Sequence, residues 1–505
     1  MKQKTAKILI LSLCTSAISM AEVSMPNIFG SHMVLQRELA NPVWGKADPG
    51  ESVTVKIGDQ SHATKADADG KWKLKLEPME AGGPYEMTVS GSNTLSFEDV
   101  QIGDVWFCSG QSNMEFAVKN TYNGEVEVAS ATNPKIRLIT VPRVGTQEPK
   151  DNFNGRWAVC SPQTVGDFSA VGYFFGRRIQ EATGVPIGLV DNSWGGSAIE
   201  AWIDRDTLKA TGVCDDYIGN SDKACAEMTD EIYAQRKAEY NAKMEEWNKT
   251  KKGSKPRWPS DPRYNQHRPA NIFNGVLNPT IGYGLKGIIW YQGEANSSRA
   301  KAYQTLFPTM IQMMRDDWGQ GDFPFYWVQL ADFTKEQTEP SEGGWAGLRE
   351  AQTMTLDALL MTGEAVIIDL GEGRDIHPRD KQTVANRLVR HALANDYGFD
   401  MAAASPRFDG MNIEGNKVSL KFKNIDKGLY SFDTTKIEGF AIAGADKEFV
   451  WADAKITGKD TLEVSSEAVA EPVAVRYGWA TNPVVNLYDR NGLPVTPFRT
   501  DNGSE

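Results

Sequence analysis

The sequence predicts a three-layer α/β domain built on a parallel sheet, flanked at each end by a β-sandwich-like region. Three observations carry this. Between residues 101 and 400, short apolar runs at 105–108, 187–190, 287–290, 325–328 and 365–368 have the unbroken hydrophobicity of strands buried on both faces. Helical stretches near 168–182, 300–318 and 380–396 alternate with them, as crossover helices over a parallel sheet do. Outside these bounds the hydrophobic period drops to two, in Ser-Val-Thr-Val-Lys-Ile at 52–57, Lys-Trp-Lys-Leu-Lys-Leu at 71–76 and Lys-Val-Ser-Leu-Lys-Phe at 417–422.

Taken in order, the first residues are an address. Lys2, Lys4 and Lys7 precede a short apolar stretch at 8–18, and Ser19-Met20-Ala21 offers a small-x-small cleavage site, so residues 1–21 read as a cleaved signal peptide. The stretch is shorter than the roughly 20 residues that span a bilayer. Leu13 is too bulky to precede a lipidated Cys14. Residues 22–100 follow as an N-terminal β domain, with turns expected at 48–50, 69–70 and Gly-Gly-Pro 82–84. The α/β domain at 101–400 is interrupted by a helical insertion at about 205–270. There Tyr233, Tyr240, Met244 and Trp247 fall on one helical face before a short basic turn at 251–257, which reads as a surface helix with a solvated face. Residues 401–505 return to β.

At 505 residues the chain is too long for one ordinary core. Its formal charge of −12 becomes −15 on signal cleavage, which removes three lysines and no acid. Such a chain repels phosphate backbones and anionic lipid heads, so nucleic acid is excluded as a natural partner. Export to the periplasm or medium, without membrane insertion, is expected. Cys108, Cys160, Cys214 and Cys225 remain, spaced for no metal site; Cys214 and Cys225 are the nearest candidates for a disulfide.

Chemistry-bearing residues gather at the ends of the expected strands, where sites form in open α/β sheets. Ser109-Gly110-Gln111-Ser112-Asn113-Met114 follows the 105–108 run; glycine permits a sharp turn that leaves Ser112 exposed among free backbone N–H groups. The same residues also suit a plain helix cap. Asn192-Ser193-Trp194-Gly195-Gly196-Ser197 follows 187–190, and its paired glycines let an N–H face a ligand closely. Trp290-Tyr291-Gln292-Gly293-Glu294 supplies an amide donor at Gln292 and a carboxylate at Glu294. Asp375-Ile376-His377-Pro378 follows 365–368. Of five histidines, His377 alone is expected in a loop after a central strand, which makes it the natural general base, with Asp375 placed to orient it.

Together these four segments, with Ile199-Glu200-Ala201-Trp202 and the closing Asn491-Gly492-Leu493-Pro494 and Pro497-Phe498-Arg499-Thr500, resemble the SGNH hydrolases and, more narrowly, the sialate O-acetylesterase family. The resemblance runs through nearly all of the mature chain and implies a flavodoxin-like three-layer core. It further implies Ser112 as nucleophile, His377 as base, and an oxyanion hole made by the Ser112 and Gly196 N–H groups with the Gln292 side chain. The superfamily usually places its aspartate three residues before the histidine, where this chain has Arg374. Asp375, Glu294 or a backbone carbonyl is then left to orient His377, and Asp375 is the preferred one. The implied reaction is two-step acyl transfer needing no metal or organic cofactor. O-acetylated sialic acid is the leading substrate and acetylated xylan the nearest rival; a carbohydrate-binding protein without catalysis is the reading from another class. A sialic acid carboxylate calls for a cation in the cleft, and Arg374 and Arg349 are the candidates.

Overall fold

In the computed structural model, which describes residues 22–501, one strand joins the two halves of the sequence pattern. Thr94–Gly110 begins with six residues of alternating exposure, paired antiparallel with Gly82–Ser90, and continues with eleven that are all buried. The change of period marks where the chain leaves a sheet with one wet face and enters one covered on both. The transition near residue 100 therefore lies inside a continuous strand rather than in a linker. Gly-Gly-Pro at 82–84 is the start of the partner strand rather than a turn. Residues 1–21, read above as an export signal, lie outside the described residues.

From one edge, the central sheet runs Thr362–Ala365, Phe325–Val328, Gly287–Tyr291, Thr94–Gly110, Ile187–Asp191 and Asn133–Thr140, all parallel, with Ala158–Cys160 antiparallel at the far edge. The 365–368 run is only partly strand: pairing ends at Ala365, and Val366, Ile367 and Ile368 remain buried beyond it. That strand is the edge of the sheet, not its centre. Helices Ala170–Thr183 and Lys381–Asn395 pack together on one face, and Ala300–Trp318 and Gly344–Ala358 on the other. The last of the expected layers is thus present, and Gly344–Ala358, a helix not among the expected ones, completes it by burying Leu348, Ala351 and Thr355.

Caps anchor these helices near the strand ends. Ser169 accepts from the Gly172 N–H at 3.1 Å and donates its hydroxyl to the Met114 carbonyl at 2.6 Å, which ties a helix start to the Ser112 turn. Asp380 caps the helix Lys381–Asn395 through the Thr383 N–H.

The insertion holds two helices, Asp215–Glu227 and Asp230–Thr250, and no residue of the second is buried. Its aromatic face is half-covered by the basic turn: Tyr240 meets Trp258 edge-on at 4.9 Å, and Lys251 lies 4.1 Å over Trp247. Cys214 and Cys225 are unbonded. Eleven residues apart along a helix they are separated by about 16 Å, beyond disulfide reach.

Beyond residue 406, two four-stranded antiparallel sheets enclose a separate core that includes Leu420, Phe422, Ile442, Val464 and Val475. Arg349 docks this region. Fully buried, it donates to the carbonyls of Leu330 and Ala331 in the α/β domain and of Ala480 and Thr481 beyond it, at 2.7–3.0 Å.

Candidate active site

Close packing of two neighbouring strands creates the Ser112 turn. Gly110 has φ +134°, and a Cβ there would lie 2.3 Å from the Tyr291 carbonyl oxygen, so only glycine fits. The chain turns, and Ser112 opens the short helix Ser112–Glu115.

His377, from the loop after the edge strand, completes the line. Its Nε2 lies 2.8 Å from Ser112 Oγ, and its Nδ1 lies 3.2 Å from Asp375 Oδ1. With the ring proton on Nδ1, the imidazole donates to Asp375 and accepts from the Ser112 hydroxyl. Asp375 Oδ1 also accepts the His377 backbone N–H at 3.0 Å, which holds its carboxyl below the usual range, although its side chain is 58% exposed. The Phe116 ring stacks on the imidazole, 6.3 Å between centroids.

The paired glycines reach the same place. Trp194 N–H donates to the Gly110 carbonyl at 2.9 Å, and Gly195 N–H to Glu115 Oε2 at 2.5 Å. A Cβ on Gly195 would lie 3.4 Å from that of Ser112. Gly196 follows with φ +70°. Among the described residues, neither its N–H nor that of Ser112 has a protein acceptor.

Three expected site residues sit elsewhere. Gln292 is fully buried, and its amide hydrogens go to the Ser197 carbonyl at 3.0 Å and Asn296 Oδ1 at 2.8 Å, while its Oε1 accepts from Tyr303. No donor is left for an oxyanion. Glu294 does not reach His377: its Oε1 accepts from Asn113 Nδ2 at 2.6 Å, and burial raises its carboxyl above the usual range. Arg349 is buried in the docking contact described above and faces no cleft. Arg374 is exposed beside Asp375. The other histidines lie away from the line, with His391 buried mid-helix against the Glu364 carbonyl at 3.0 Å.

Sequence reasoning missed Asn113, Glu115, Arg143 and Lys381. Asn113 lay in plain view within the serine motif. Arg143 pairs with Glu115 Oε1 at 2.6 Å, which puts a half-exposed cation beside the glycine loop. Lys381 is fully buried, and burial pushes its ammonium down to about 7. Nothing in the local sequence distinguishes it from a surface lysine in a first helical turn. Among the described residues, no cluster of three or more His, Cys, Asp or Glu is arranged to hold a metal ion, and no helix is long and apolar enough to cross a membrane.

This geometry occurs in a chain with clear relatives. Residues 102–364 match the carbohydrate esterase family described as sialic acid-specific acetylesterase. The sialate O-acetylesterase of Mus musculus is 32% identical over 520 residues, spanning 93% of this chain and 92% of that protein. That of Homo sapiens is 30% identical, spanning 92% and 90%. A carbohydrate acetylesterase from Xanthomonas citri, known from its crystal structure, is 37% identical with a TM-score of 0.81, covering 95% of this chain and all of that one. The four sequence motifs, the sheet they terminate and these end-to-end similarities converge: the chain belongs to the sialate O-acetylesterase family of carbohydrate esterases.

Proposed function

We propose that this chain removes O-acetyl groups from sialic acids, with Ser112 as nucleophile, His377 as base and Asp375 orienting the imidazole. The observation that carries the reading is the continuous line Ser112 Oγ–His377 Nε2–Nδ1–Asp375 Oδ1, with contacts of 2.8 and 3.2 Å. Ser112 Oγ attacks the acetyl carbonyl carbon as its proton passes to His377 Nε2. The negative oxygen that forms is met by the Ser112 and Gly196 N–H groups. The bond to the sugar oxygen breaks, that oxygen takes the proton from His377, and an acetyl-Ser112 ester remains. Water then attacks the ester with His377 again as base, releasing acetate and restoring the serine. Gln292 supports this arrangement from behind, holding the Ser197 carbonyl beside the glycine loop.

The sialate assignment is supported by what the Mus musculus and Homo sapiens relatives act on. A carboxylate-bearing sugar also suits two exposed cations, Arg143, which pairs with Glu115 beside the glycine loop, and Arg374, next in the chain to Asp375. The amino-terminal signal adds export, so that the enzyme meets its glycan outside the cytoplasm.

Acetate release from O-acetylated sialic acid and from acetylated xylan, measured side by side, tests the reading. Faster release from the sialic acid is expected. Preference for xylan would move the substrate and keep the chemistry. Release from neither substrate by folded protein would overturn the esterase assignment for this chain.

A further inference from the structure

Beneath the Ser112–His377 line lies a buried polar group that the mechanism above does not use. The Asn113 side chain donates from Nδ2 to Glu294 Oε1 at 2.6 Å and to the Ile376 carbonyl at 3.0 Å, and its Oδ1 accepts from Lys381 Nζ at 2.5 Å. Both amide hydrogens are committed. Asn113 directly follows the serine, while Ile376 directly precedes His377 and Lys381 lies four residues after it. One amide therefore grips the histidine loop on both sides and joins it to the serine turn and to the Tyr291–Glu294 segment.

We propose that Lys381 is a positioning residue: through Asn113, and with Glu294, it clamps the His377 loop to the Ser112 turn and so fixes the distance across which the proton moves. This rests on Ser112 and His377 being the reacting pair. Lys381 is sealed at 0% exposure, with its Nζ 5.1 Å from the Phe116 and Tyr291 ring centroids. Phe116 is the ring that stacks on His377, so the lysine braces the imidazole from two directions, through the amide and through the aromatic wall. A buried lysine is a costly way to fill space. Methionine would occupy a similar volume without the desolvation penalty, so a lysine that served packing alone is replaceable without loss.

That contrast defines the test. Lys381→Met is expected to keep the melting temperature at or above wild type, yet to lower kcat roughly 10- to 100-fold with little change in KM, as small misplacements of reacting groups do. The rate at which a fluorophosphonate labels Ser112 should fall in parallel, since it reads serine activation without a sugar substrate. In an Asn113→Ala background the same change should cost little more, because the lysine acts through that amide. Should Lys381→Met not fold, Lys381→Leu, which likewise removes the donor to Asn113 Oδ1, takes its place in the same cycle. A folded variant with wild-type kcat and labelling rate would overturn the proposal, as would full additivity with Asn113→Ala. Absence of labelling in the wild-type enzyme, or activity surviving in Ser112→Ala, would instead overturn the assignment of the reacting pair.

Discussion

Two carboxylates stand near His377, and they occupy opposite environments. Asp375 is 58% exposed, bonded to the imidazole, and held below the usual carboxylate range by the His377 N–H. Glu294 is half-buried, bonded to Asn113, and raised above that range by desolvation. The difference separates two layers of the site. In the proposed mechanism, the groups that exchange protons with substrate line the open side, where charge is solvated. The layer beneath uses buried polar groups to hold geometry, and there an unpaired charge is expensive.

The largest break in this comparison comes from removing the proposed nucleophile. Ser112→Ala should lower acetate release by about 10⁶-fold, the scale seen when a triad serine is lost, with an unchanged melting temperature. Substantial remaining turnover would show that the open layer does not contain the reacting group.

Exchanging each carboxylate separately sharpens the contrast. Asp375→Asn should cost roughly 10²-fold in kcat, less than the 10⁴ reported for a buried triad aspartate, because water replaces part of an exposed partner's effect. Glu294→Gln keeps an oxygen for Asn113 Nδ2 and should cost less than Asp375→Asn. Steady-state kinetics on the two folded variants decides it, and the reverse order would exchange their roles.

The smallest effect concerns stability, at a buried histidine away from the site. Burial lowers the His391 imidazole to about 4, whereas in the unfolded chain it titrates near 6.5. Between those values the unfolded state binds more protons, so this residue's contribution falls as pH drops from about 6.5 to 4. The span corresponds to about 3 kcal/mol. Asp396 and Glu364, raised to about 6 and about 7, oppose it with the opposite sign. Unfolding free energies of wild type and His391→Gln should therefore be compared as a difference at each pH. The variant is expected to gain on wild type as pH falls, and a flat difference would contradict a buried neutral histidine.

Local pattern accounts for much of the site. The change from period two to continuous hydrophobicity marks the entry of Thr94–Gly110 into the central sheet, and Gly110, Ser112, Gly196 and His377 announce themselves as turn, hydroxyl, turn and scarce imidazole at strand ends. Side-chain type and strand position suffice for these because the parallel sheet brings strand ends to one edge whatever the details.

Which donor is free and which carboxylate touches the histidine depended on contacts distant in sequence. Gln292 and Asp375 look equally available in the chain, yet Ser197 and Asn296 consume the amide of one, while a two-residue hydrogen bond aims the other at the ring. Arg349 and Lys381 look like ordinary surface cations until packing seals them. The sequence by itself determined the sheet and the turn, and pointed to Ser112 and His377 as the proposed pair, because those follow from local period and residue chemistry. Only the tertiary structure decided the supporting layer, because burial and the partner at the far end of a hydrogen bond are properties of the folded chain.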